Sequence, residues 1–144
     1  MLSNPSLIVL DTSVVSILIR RVESATYYRE RIVGRRAVIS FQTLEELWFG
    51  AYKGNWGDRR KNALRQSLDR YEVMWPNSDL VRISAHLRSE RERVGRRLNT
   101  GDAWVAATAL LLECPLASDD HDFSDIPDLE LIQAPAPQPD QSQE

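Results

Sequence analysis

Four acidic side chains hold most of the chemistry this sequence can do: Asp11, Glu46, Asp102 and Asp120. They are 35, 56 and 18 residues apart, so no local motif joins them and only a fold can bring them together. Carboxylates that converge repel one another strongly unless protons or cations intervene. A hard divalent cation is the natural remedy, because magnesium takes oxygen ligands, often one or two carboxylates completed by waters and substrate phosphates. Such an ion lowers the pKa of a bound water and stabilises charge developing on a phosphate. Hydrolysis of a phosphodiester would then need no nucleophile from the protein.

Other catalytic candidates are few. Cys114, the single cysteine, lies in an apolar stretch before Pro115 and reads as a small core residue rather than a thiolate. One cysteine also rules out a disulfide framework within one copy and points to a reducing compartment. His86, inside a predicted helix, reads as a surface or packing residue, whereas His121 lies among acids and within reach of a substrate. Each candidate acid has a purely structural reading as well. Asp11 suits an N-cap, and Thr43-Leu44-Glu45-Glu46 fits a capping box. Asp102 is favourable near a positive helix end, and Asp120 sits in a polar loop with Asp119 and Asp122.

The elements that must position these acids follow from the apolar pattern. At 144 residues, 42% of them hydrophobic, the chain can bury roughly 68–70% of its unfolded surface as one domain. Residues 7–10 (Leu-Ile-Val-Leu) form a short run with both faces apolar, as in a buried parallel strand. Further strands are expected at 37–39, 72–75, 115–118 and 129–132, and helices over 12–19, 23–33, 40–53, 58–70, 78–95 and 102–112. The last of these helices is apolar nearly all round and should be buried. Alternating strands and helices predict an α/β fold, a sandwich over a central, mostly parallel sheet of about five strands. Right-handed crossovers place every strand C-terminus at one edge. Asp11 follows the first strand, Glu46 lies early in the helix after the second, Asp102 opens the buried helix, and Asp120 follows the fourth strand. The domain should span 1–133, with 134–144, rich in Pro and Gln, as a disordered tail.

Residues 1–10 lack a basic segment leading into an apolar one, and the longest apolar run, 103–112, is broken by Thr108 and falls short of the about 20 residues a bilayer requires. A cytoplasmic protein with no membrane association is expected. The net charge of -3 argues against coating nucleic acid by bulk electrostatics. The distribution is uneven, however. Six arginines crowd residues 82–97 against Glu90 and Glu92, while 113–144 contains neither Lys nor Arg. With Arg59, Arg60 and Lys61, that basic stretch is either the available phosphate-contacting surface or, equally, a solvated helix face with Arg–Glu pairs at helical spacing such as Glu92 with Arg96.

Four blocks of the sequence, in order, resemble one family. They are Val9-Leu10-Asp11-Thr12-Ser13, Ser40-Phe41-Gln42-Thr43-Leu44-Glu45-Glu46-Leu47, Gly101-Asp102-Ala103-Trp104-Val105-Ala106-Ala107-Thr108-Ala109, and Ala117-Ser118-Asp119-Asp120-His121-Asp122-Phe123. Across about residues 8–132 the chain resembles the PIN-domain ribonucleases, and among them the VapC toxins of toxin-antitoxin pairs. The resemblance implies a PIN-like α/β/α sandwich with Asp11, Glu46, Asp102 and Asp120 as catalytic residues holding Mg2+ or Mn2+. It implies an endoribonuclease acting on RNA, inhibited by a VapB-like antitoxin, and commonly a homodimer. Glu45 would point about 100° from Glu46 on a helix, so Glu46 matches the family acid by register. Ser13 and Ser118 match polar positions that support the acids, whereas Asn99-Thr100-Gly101 departs from the frequent pattern by placing Gly before Asp102. Trp48, Phe49 and Tyr52, a core flank by default, would line the antitoxin's groove. Two rivals differ in class. A phosphoaspartyl enzyme would want a late lysine, and none follows Lys61. A catalytically silent PIN-like RNA-binding or assembly module would not need all four acids.

Overall fold

A four-residue run that is apolar at every position is stable only where both sides of a sheet are covered. In the computed structural model, which describes residues 4–136, that run is β1 (Leu7–Leu10), the middle strand of five. Most of the predicted tail, 137–144, lies outside the described residues. The chain continues through α1 (Thr12–Arg20), α2 (Ala25–Ile32), β2 (Arg36–Ser40), α3 (Phe41–Lys53), α4 (Asp58–Leu68), β3 (Glu72–Met74), α5 (Ser78–Arg93), α6 (Thr100–Leu112), β4 (Leu116–Ala117) and β5 (Leu131–Ile132), with a single 3-10 turn, His121–Phe123, after β4. Every strand pairing is parallel. No described helix is long and apolar enough to cross a membrane.

The period of two along each strand divides the core between the two faces of the sheet. Ile8, Leu10, Ile39 and Ala117 point to one side, where Val14, Val15, Ile17, Tyr28, Ala51, Leu64 and Leu68 from α1 to α4 cover them. Val9, Val38 and Leu116 point to the other, against Leu87 of α5 and Ala103, Val105, Ala106 and Ala109 of α6. Each fully buried large aliphatic contributes about 1.5–3 kcal/mol. The small alanines of α6 let that helix lie close to both the sheet and α5, and it is buried from Val105 through Ala109, as its apolar circumference predicts.

Strand order decides where a site can form. The sheet reads β3-β2-β1-β4-β5, so the chain moves outward from β1 to β3 and then returns through α5 and α6 to lay β4 on the other side of β1. That reversal leaves a crevice beyond the carboxyl ends of β1 and β4, the position where open α/β sheets bind ligands. The two ends are stitched together there, with the Asp11 N–H donating to the Ala117 carbonyl at 2.9 Å.

Candidate metal centre

Asp11 leaves β1 in an extended conformation at the N-cap position of α1, yet its side chain does not cap the helix. Two hydroxyls take it instead. Ser118 Oγ donates to Asp11 Oδ2 at 2.8 Å and Ser13 Oγ donates to the same oxygen at 3.0 Å. Each serine also accepts a backbone N–H from the segment after β4: Asp120 N–H reaches Ser118 Oγ at 3.0 Å, and Asp119 N–H reaches Ser13 Oγ at 3.0 Å. The loop bearing Asp120 is thereby registered on Asp11. Behind it, the buried Tyr28 donates its hydroxyl hydrogen to Asp119 Oδ1 at 2.6 Å and accepts the Ala134 N–H at 3.0 Å.

Asp102 enters from the opposite face of the sheet, in the first turn of α6, which begins two residues earlier than its apolar pattern suggests. Asn99 caps that helix by accepting the Asp102 N–H at 2.7 Å and returns a donor to Asp102 Oδ2 at 2.9 Å, so one amide fixes both backbone and carboxylate. Asp120 Oδ1 accepts the Asp122 N–H at 2.9 Å, a tight turn that swings a further acid inward. One carboxylate oxygen from each of Asp102, Asp120 and Asp122 lies within 4.8 Å of the others.

Glu46 approaches from α3. The capping-box reading fails here, because Ser40 caps α3 by accepting the Gln42 N–H, and Thr43 sits inside the helix, fully buried against the Thr12 hydroxyl. Glu46 Oε1 instead accepts from Gln42 Nε2 at 3.2 Å and overhangs the start of α6, where a Cβ on Gly101 would come within 3.4 Å of it. The glycine before Asp102 thus occupies the place where two helices present their acids to each other.

Electrostatics give the same picture. Burial raises the Asp11 carboxyl above its ordinary range despite its hydroxyl partners, and Glu46 adds to the rise. Asp102 is pushed up to about 6, first by burial and then by the charges of Asp11, Asp120, Asp122 and Glu46. Asp102 therefore feels the charge of the other three predicted acids and of Asp122, a loop acid in the sequence reading, while among the described residues the close group of carboxylate oxygens holds Asp102, Asp120 and Asp122 but neither Asp11 nor Glu46. The signal for Asp122 was the Asp-x-Asp spacing after β4. Asn99 was missed, and its signal was the Asn-x-x-Asp spacing of a cap. An all-carboxylate donor set without Cys or His suits a hard cation such as Mg2+ or Mn2+.

The remaining candidates fall elsewhere. Cys114 is buried, and burial pushes its thiol up to about 11, which removes it as a nucleophile near neutral pH. His86 lines an open groove of about 970 Å3 between α5, the end of α6 and residues 127–130, which none of the four acids borders. Phe49 and Tyr52, a core flank by default, are 62% and 67% exposed. Trp48 stacks on Tyr52 at 5.9 Å, with Arg65 and Lys61 lying over the two rings. Arg96 pairs with Asp125 at 2.6 Å rather than with Glu92 as helical spacing suggested.

Comparison with known proteins places this arrangement. The sequence matches the PIN domain over residues 8–129. It is 31% identical over 126 residues to ribonuclease VapC5 of Mycobacterium tuberculosis (strain ATCC 25618 / H37Rv), covering 86% of this chain and 90% of the relative. The crystal structure of VapBC2 from Rickettsia felis, bound to a DNA fragment from its promoter, superposes with a TM-score of 0.80 at 23% identity over 90% of this chain and 99% of that one, a likeness of fold. VapBC-5 from Mycobacterium tuberculosis, of the VapBC family of toxin-antitoxin systems, matches with a TM-score of 0.69 at 28% identity over 90% of this chain and all of that one. With its acids gathered at the switch point of a five-stranded parallel sheet, this chain belongs to the PIN domain family.

Proposed function

We propose that the chain is a metal-dependent endoribonuclease, a VapC-like toxin that hydrolyses RNA phosphodiester bonds and is held inactive by a VapB-like antitoxin. One observation carries this reading: acids from three separate helices and loops act on Asp102 at the crevice between β1 and β4. Asp11, Glu46, Asp102 and Asp120, with Asp122, would hold Mg2+ or Mn2+. When bound, such an ion supplies Lewis-acid activation of water and neutralises charge on the phosphate.

The chain's own groups do the positioning. Ser118 and Ser13 keep Asp11 in one orientation by donating to a single oxygen. Asn99 does the same for Asp102, as supporting partners of metal-binding carboxylates do elsewhere. In the metal-free protein Asp102 can keep a proton near pH 6 and release it when a cation replaces it. No side chain is required to attack phosphorus. The ribonuclease name of a relative that covers most of this chain supports RNA as substrate, and the exposed Phe49 and Tyr52 offer an apolar strip on which an antitoxin helix would dock. A homodimer acting in the cytoplasm completes the reading.

The test is cleavage of RNA by the purified chain. Mg2+ or Mn2+ should support it, EDTA should stop it, and Asp11→Asn should reduce it by more than the ~100-fold typical of losing a supporting partner alone, with an unchanged circular dichroism spectrum. Full metal-stimulated activity in Asp11→Asn would overturn the assignment.

A further inference from the structure

We propose that Arg91, Arg96 and Arg97, with His121, form a pocket for a backbone phosphate of single-stranded RNA, one step along the strand from the bond that is cut. A shallow, open depression of about 330 Å3 lies at the edge of the acid cluster, lined by these four residues with Asp122 and Ser124. Asp122 is the shared wall, since its carboxylate also belongs to the group of oxygens with Asp102 and Asp120. An anion in the depression is therefore a near neighbour of a phosphate held at the acids.

The arginines are arranged for an external partner. Arg91 is only 6% exposed, and its Nη1 donates to the Asp125 carbonyl at 3.1 Å. Its Nε is buried and has no partner among the described residues. A buried guanidinium N–H left without an acceptor is unfavourable, so the guanidinium of Arg91, a residue of this lining, is not fully satisfied by the described residues. Arg96 is held by Asp125 at 2.6 Å, which fixes the direction of its planar fork. Among the described residues Arg97 pairs only with Glu92, at 4.0 Å, and its side chain is 80% exposed, so it can close over a ligand. Guanidinium groups match phosphate oxygens two at a time. A polyanion approaching a cluster of carboxylates meets repulsion, and three arginines on the same rim offset it. Polymeric RNA is favoured over a protein carboxylate because the pocket and the acid cluster share a wall, and only a chain of phosphates occupies both at once.

Because it rests on the nuclease reading above, the test uses two arms. In the full chain carrying Asp11→Asn, with Mg2+ present, binding of a short fluorescent single-stranded RNA is followed by anisotropy across a salt series. Arg97→Ala should weaken binding roughly three- to tenfold and flatten the slope of log K against log salt by about 0.7, the signature of one lost phosphate contact on a single strand. Arg97→Lys should recover part of the affinity, and Arg70→Ala, on a distant surface, should change neither quantity. In the otherwise native chain, Arg97→Ala should raise KM for RNA while kcat holds. Unchanged affinity and slope in both Arg97→Ala and Arg96→Ala, with cleavage intact in the native chain, would overturn the pocket and leave the nuclease standing. RNA that binds with the predicted Arg97 dependence but is never cut would overturn the nuclease alone. A native chain with no affinity for RNA would overturn both.

Discussion

The acid cluster and the arginine pocket meet at Asp122, carry opposite charge and are built in opposite ways. The acids come from four stretches of the chain, and a fold must hold them against their own repulsion: Asp11 is 6% exposed and clamped by two serines, and Asp102 is pushed up to about 6. The arginines come from one stretch, and two of the three remain largely in water. Charge that folding makes unfavourable is relieved when a cation arrives, which is why the proposed reading makes the acids the reacting end. Charge that costs folding little is suited to steering and holding a substrate.

The sharpest way to break that contrast is to remove an acid. Asp102→Asn should abolish RNA cleavage while stabilising the metal-free fold, because it deletes the charge on which four others act. The pH dependence follows from the sign of the shift. A carboxyl whose folded pKa lies above its unfolded value binds more protons in the folded state, so its contribution favours folding below the ordinary 3.8 and is lost as pH climbs to about 6. Melting curves of the metal-free protein should therefore show a decline over this range that Asp102→Asn reduces, leaving the part due to Asp11, and that Mg2+ lessens in the native chain. An identical pH profile in the variant would show that the acids do not crowd as described.

A smaller effect is expected one layer out. Ser118→Ala removes a donor to Asp11 and the acceptor of the Asp120 N–H, which should cost about 1–3 kcal/mol of stability and ten- to a hundredfold in activity or metal affinity. Urea unfolding and metal titration read the two separately. On the arginine side, Arg97→Ala should act on KM alone, so a drop in kcat as large as that of Ser118→Ala would erase the distinction between the two regions. Gly101→Ala should do least. Its Cβ would stand 3.2 Å from Gln42 Nε2 and 3.4 Å from Glu46 Oε1, both flexible side-chain ends that can give way by a few tenths of an ångström. A loss of severalfold in cleavage with little change in melting temperature is the expected result.

Much of this was legible from local chemistry. The apolar run at 7–10 could only be a strand covered on both faces, and the all-round apolar 102–112 could only be a buried helix. Where reading from sequence went astray, a local rule met a tertiary competitor. Thr43 and Glu46 have the spacing of a capping box, but Ser40 took the cap and Thr43 was drawn into the interior against Thr12. Helical spacing would bury Trp48, Phe49 and Tyr52 together, whereas the core beneath α3 is filled from Thr43 and Ala51, which leaves Phe49 and Tyr52 in solvent. Asp122 looked like one loop acid among several until the turn on Asp120 brought it inward.

By itself the sequence determined the kinds of element and the residue types at their ends, because hydrophobic period and capping chemistry act over a few residues. It also determined that carboxylates, rather than a thiol or a histidine, are available for chemistry. The tertiary structure alone decided which carboxylates meet. Distances between groups 18 to 56 residues apart depend on strand order, and placing β4 beside β1 rather than beyond β3 is what brings Ser118 and Asp120 to Asp11.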